Sequence, residues 1–110
     1  MGHERIGHPD LYSDLIKLHV LHHASKGPIF GLEMIEELAR HGYRVSPGTL
    51  YPLLHSMERR GLLRSMRRVA ANQRRMYRAT PEGKKALGVA KQRVQELFGE
   101  LFDDLRSKKR

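Results

Sequence analysis

The stretch "VSPGTLYPLLHSMERRGLL", residues 45–63, decides how the chain folds. Leu50, Leu53, Leu54 and Met57 recur at i, i+3, i+4 and i+7, which places one apolar stripe along a helix. Ser46 is a favourable N-cap, and Pro47 suits the first helical position, where its missing N–H would have no partner anyway. Gly61 closes the segment, so the predicted helix covers residues 46–60. Pro52 is the anomaly. It lacks the N–H that would reach the Gly48 carbonyl, and its ring crowds that carbonyl, at a cost of ~3 kcal/mol if nothing compensates. A rotation of ~100° per residue sets Gly48, Pro52, His55, Ser56 and Arg59 opposite the stripe, with Thr49 and Tyr51 at the flanks. The anomaly therefore falls on the side of the helix that is free to meet a partner.

Upstream, "LEMIEELARHG" repeats Leu32, Ile35, Leu38 and Ala39 at helical spacing. Glu33, Glu36 and Glu37 sit early and Arg40 late, as the helix dipole favours. Gly42 ends this helix, and a four-residue connection, 42–45, leads into the next. Two helices joined by a short Gly-containing turn make a helix-turn-helix unit. Before it, Leu11, Leu15, Leu18 and Leu21, with Ile16 and Val20, predict a first helix over 11–24. "SKGPIFG" interrupts, and Ile29-Phe30 has the composition of a very short strand.

After Gly61 the period changes. "LLRSMRRV" alternates along a strand, and "RRMYRA" pairs back through "AANQ", giving an arginine-loaded hairpin. An arginine-rich helix is the competing reading; the residues before Thr80 lack its period. "TPEGKKAL" then restarts a helix, with Thr80 as N-cap and Pro81 at the first position. Leu87, Val94, Leu97, Leu101 and Leu105, with Phe98 and Phe102, extend an apolar stripe beyond what so small a domain covers, so these seven residues are expected to form a dimerisation face. The expected fold is mainly α with a small β-hairpin, a winged helix-turn-helix with a long C-terminal dimerisation helix. Residues 10–80 would form the DNA-binding unit, 81–106 the dimerisation helix, and 1–9 and 107–110 flexible ends.

At 110 residues the chain has room for one compact domain and one projecting element. Its net charge of +9 is concentrated: twelve Lys or Arg lie between Arg40 and Lys85 against only Glu58 and Glu82. Such a segment points to a polyanionic partner, while a merely solvated basic surface is the plain alternative. The absence of Cys excludes disulfides and thiolate metal sites. No apolar run reaches membrane-span length, and the first residues lack a signal-peptide core, so a soluble, cytoplasmic protein is expected. His19 and His23 stand at i, i+4, yet no third ligand follows from spacing, and no metal or other cofactor is expected. No phosphate-binding loop or nucleophile motif is present, which argues against an enzyme.

The blocks "GPIFGLEMIEEL", "SPGTLYPLLHSMERRGLL" and "RRMYRATPEGKKAL" resemble, in order and spacing, the PadR family of bacterial transcriptional regulators, over roughly residues 15–87. The resemblance implies that the helix over 46–60 is a recognition helix, the hairpin a wing, and the last helix much of a dimer interface. It also implies a homodimeric repressor on double-stranded DNA with an inverted-repeat site, of a kind that in some relatives is released by small aromatic effectors; no effector follows from this sequence. The wing tip "AANQ" departs from the family in lacking the usual Gly or Pro, and the short C-terminus matches its compact branch. With the helix face above, the resemblance puts Ser46, Gly48, Thr49, Tyr51, Pro52, His55 and Arg59 of the helix, and Arg74 and Arg75 of the wing, at the DNA. A protein-interaction module and an RNA-binding winged helix are the alternatives.

Overall fold

The computed structural model describes residues 9–66 and 75–103. Along the chain these form α1 (Pro9–Lys26), β1 (Ile29–Phe30), α2 (Gly31–Arg40), α3 (Pro47–Arg59), β2 (Leu63–Ser65), β3 (Met76–Ala79) and α4 (Pro81–Leu101). The strands make an antiparallel sheet in the order β1-β3-β2. Leu63 pairs with Ala79, Arg64 with Arg78 and Ser65 with Tyr77, while Ile29 and Phe30 of β1 pair with Tyr77 and Met76. The arginine-rich segment is therefore a hairpin where it is described, and the competing helix does not form there. Its tip, including Arg67, Arg68, Asn72, Gln73 and Arg74, lies outside the described residues.

The core gathers the inner stripes of the helices onto the sheet. Val20, Leu38, Leu50, Leu54, Met57, Leu63 and Tyr77 are fully buried, drawn from every element except β1 and α4. Each such aliphatic side chain contributes about 1.5–3 kcal/mol by leaving water. Leu87 joins them from α4 and packs with the core formed by α1, β1, α2, α3 and the hairpin.

Both glycines that close the helix-turn-helix work the same way. Gly42 and Gly61 have φ of +91° and +80°, values open to Gly because it has no Cβ. In each case the glycine and the residue after it cap the helix behind them: Gly42 N–H reaches the Ala39 carbonyl and Tyr43 N–H that of Leu38, and Gly61 N–H reaches Glu58 and Leu62 N–H reaches Met57, all at 2.9–3.0 Å. This is the Schellman closure, and it satisfies carbonyls a helix end leaves orphaned.

The "TPEG" block forms a knot. The Thr80 side chain accepts from Gly83 N–H at 2.9 Å, capping α4, and donates to the Gly61 carbonyl at 2.5 Å. Thr80 N–H bonds the Leu62 carbonyl at 3.1 Å. A Cβ on Gly83 would collide with that same carbonyl oxygen, so only glycine lets α4 start against the turn between α3 and β2.

Candidate nucleic-acid interface

α3 runs unbroken from Pro47 to Arg59 with Pro52 inside it. Leu50, Leu54 and Met57 are buried beneath it. Ser46, Gly48, Thr49, Pro52, His55 and Arg59 are exposed, whereas Tyr51 and Ser56 are half-buried. Ser46 occupies the N-cap position, but its side chain makes no capping bond to the backbone. Its hydroxyl turns to the Thr49 hydroxyl at 3.3 Å instead. A Cβ built on Gly48 would meet nothing nearer than the Ser46 hydroxyl at 3.8 Å, so the space around that residue is open.

One flank of α3 follows the sheet. Tyr51, His55 and Glu58, spaced as i, i+4 and i+7, meet in turn the start of α2, β3 and β2. The Tyr51 ring lies directly on Gly31, where any Cβ would overlap the phenol. The His55 ring stands 6.5 Å from that of Tyr77, centroid to centroid. Glu58 accepts from both the N–H and the hydroxyl of Ser65. The Ser65 hydroxyl holds the Glu58 carboxyl below its ordinary pKa, with a smaller contribution from nearby Arg75 and His55. The helical wheel placed Tyr51 at the edge of the outward face, and packing draws its ring inward while the residues around it stay free.

Arg75 is exposed at the described end of the hairpin; Arg74 falls outside the described residues. Arg64 and Arg78, directly opposite each other, are also exposed. Like charges facing across a strand pair disfavour the sheet, so an anionic partner relieves a repulsion built into the wing.

The last helix carries the second surface. Val94, Leu97, Phe98, Leu101 and Phe102 are 42–62% exposed, and the rings of Phe98 and Phe102 lie 4.7 Å apart. Leu105 is outside the described residues. Leu87, expected on the same face, is instead 8% exposed and belongs to the core of its own domain; it is where α4 is rooted before the helix leaves the domain. Between α1 and α4 runs an apolar groove of about 600 Å³, walled by Leu15, Leu18, Leu87, Val94 and Phe98.

Three histidines, His19, His23 and His41, meet where α1 packs on α2. The His19 ring is 5.0 Å from that of His41, and Glu37 stands between His23 and His41, with oxygen-to-nitrogen distances of 3.5 and 3.1 Å, while also pairing with Arg40. Among the described residues no three side chains are placed to hold a metal ion, and no helix is long and apolar enough to cross a membrane.

Three connections have no signal in the sequence pattern, because only the tertiary fold brings the partners together: Glu58 to Ser65, Tyr51 to Gly31, and Tyr77 to His55.

A three-helix core and a small antiparallel sheet carrying an arginine-bearing hairpin beside an exposed, partly basic helix face define a winged-helix protein. Residues 20–89 match the transcriptional regulator PadR-like family. The chain belongs to that family, and it is a transcriptional regulator and not an enzyme. Over 88 residues it is 51% identical to Transcriptional regulator Rv3488 of Mycobacterium tuberculosis, which spans 79% of this chain and 82% of that protein. A PadR family transcriptional regulator from Eggerthella lenta has a similar structure, with a TM-score of 0.74 at 29% identity, covering 87% of this chain and 86% of that one. The PadR-like regulator BC4206 of Bacillus cereus shares the fold with a TM-score of 0.77 at 24% identity, covering 87% and 96%.

Proposed function

We propose that the protein is a cytoplasmic homodimeric repressor that binds a specific inverted-repeat site on double-stranded DNA. Residues 10–80 form the DNA-binding unit and 81–106 the dimerisation helix. The observation that carries this reading is the division of α3: Leu50, Leu54 and Met57 are sealed into the core, while Ser46, Gly48, Thr49, Pro52 and Arg59 are turned to solvent beside an arginine-bearing wing.

A major groove ~12 Å wide takes a helix whose first residues meet base edges. Pro47 has no N–H and the Thr49 N–H bonds the Ser46 carbonyl at 3.0 Å, so with no cap from the Ser46 side chain it is the Gly48 N–H that is left for a phosphate at the positive end of the helix dipole. Gly48 lets the backbone come close, Thr49 and Ser46 offer hydroxyls, and Pro52 presents an apolar surface to a thymine methyl. His55 and the Tyr51 hydroxyl approach from the flank. Arg59, Arg74 and Arg75 neutralise phosphates. The exposed apolar face of α4 supports the dimer, since Leu97, Leu101 and Phe98 left in water would be an aggregation liability.

The test is selection of bound duplexes from a random pool, followed by binding at several salt concentrations. One enriched inverted repeat is expected. If about 4 to 6 phosphates are neutralised per subunit, log affinity should fall against log salt by ~0.9 for each. Binding that is insensitive to salt, or equal for RNA and for unrelated duplexes, would reject the reading in favour of an RNA-binding or protein-interaction module.

A further inference from the structure

Tyr77 occupies the middle of the sheet, between Ile29 of β1 and Ser65 of β2. Its side chain is completely buried, and its hydroxyl has no hydrogen-bond partner among the described residues. A buried hydroxyl left unpaired is costly, and phenylalanine would fill the same space without that cost. Something other than packing therefore explains an oxygen at this position. The neighbour across the core boundary is His55, whose ring is tilted by 49° at 6.5 Å. Tyr77 is covered and His55 is open to solvent, so the pair joins the buried middle of the sheet to the exposed side of α3.

The two other side chains on that flank are already engaged. Tyr51 lies on Gly31, and Glu58 holds Ser65. His55 meets the sheet through its ring, beside that of Tyr77, and as an exposed residue it has room to change rotamer.

We infer that Tyr77 is a positioning residue for His55: in the DNA complex its hydroxyl hydrogen-bonds one ring nitrogen of His55, and the other nitrogen faces the DNA. The inference rests on the proposed reading of α3 as the DNA-reading helix and adds a part to it. The bond at one imidazole nitrogen decides which tautomer is present and so whether the other donates or accepts. A phenol inside the domain sets that choice from a site that water does not reach, where a hydrogen bond is stronger. The consequence is discrimination at one base or phosphate position without any contact between Tyr77 and DNA.

The experiment uses the full chain and the duplex most enriched from a random pool, with a scrambled duplex of equal composition as competitor. His55→Ala, Tyr77→Phe and the double variant are compared by the ratio of the two affinities. Each single variant is expected to lower that ratio about tenfold, and the double variant no further than His55→Ala. Tyr77→Phe should melt at or above the wild-type temperature, which separates positioning from support of the fold. In the complex with histidine labelled by nitrogen-15, His55 should show one tautomer in the wild type and a mixture in Tyr77→Phe. If His55→Ala lowers the ratio and Tyr77→Phe does not, or if the two losses add, the inference is overturned while the reading of α3 stands. If His55→Ala changes nothing, His55 does not read DNA and the inference is overturned, while the reading of α3, which rests on its other exposed residues, is tested separately by the salt and selection experiments.

Discussion

Glu58, in the last turn of α3, accepts two hydrogen bonds from Ser65 of β2, one from its hydroxyl at 2.7 Å and one from its backbone N–H at 3.1 Å. Helix α3 and strand β2 are thereby fastened to each other beyond the turn that joins them. Bonds to a charged acceptor in a half-buried setting are worth more than neutral ones, so Glu58→Ala should lower stability by about 1–3 kcal/mol. Urea unfolding followed by circular dichroism measures this, and an unchanged midpoint would mean that the turn alone holds the wing.

Acid should lower the stability of the protein in two steps. Burial, assisted by neighbouring His41, His23 and His22, lowers the pKa of His19 below 6.5; burial, with His23 and Lys26 near it, lowers that of His22. A lowered histidine pKa means that the native state resists protonation. Its contribution is full above 6.5 and is lost as pH falls through the lower native value. Glu58 and Glu37 have native pKa values below 4.5, through bonds from Ser65 and from Arg40 respectively. Their contribution is lost only at still lower pH. The melting temperature measured from pH 8 to about pH 3 should therefore fall in a mildly acidic step and again in a strongly acidic one. His19→Gln with His22→Gln should reduce the first and leave the second.

Gly48→Ala separates fold from function. The space around a Cβ there is open, and alanine is favoured over glycine in a helix by about 0.5–1 kcal/mol. The variant should be as stable as the wild type or more so. It should also bind its selected duplex more weakly, because the added methyl keeps the backbone from the groove. Full affinity would show that the helix does not approach DNA at this residue.

Leu97→Lys with Leu101→Lys should give monomers in sedimentation, with the melting transition of the DNA-binding unit preserved, because both residues are at least half exposed and stand apart from the core. A double variant that still sediments as a dimer would place the seam elsewhere. Leu87→Lys is not an equivalent test, since Leu87 is buried within its own domain and the charge would unfold it.

Much of the architecture is legible in the sequence because its helices announce their own ends. Ser46-Pro47, Thr80-Pro81, Gly42 and Gly61 set boundaries that agree with the structure to within a residue or so. The first helix is longer than its leucines indicate, reaching Pro9 and Lys26, since polar residues at helix ends carry no periodic signal. The pairing of Ile29-Phe30 onto β3 converts a hairpin into three strands, and two residues cannot declare partners as distant in the chain as Tyr77 and Met76. The outward face of α3 follows from a wheel drawn on Leu50. Its flank does not, because whether Tyr51 turns to solvent or onto Gly31 depends on where the sheet lies. For the same reason the stripe on α4 reads as continuous from Leu87 to Leu105, although the domain claims its first member.

The knot formed by Gly61, Leu62, Thr80 and Gly83 fastens the end of α3 to the beginning of α4. In a dimer joined through α4, that attachment would act as the pivot of a lever. A small rotation between the two last helices would be carried, undamped by any flexible linker, into the separation of two recognition helices. The protein would then measure the distance between half-sites as strictly as their sequence, and a ligand or partner that altered only the crossing angle of the last helices would change operator choice without approaching the DNA.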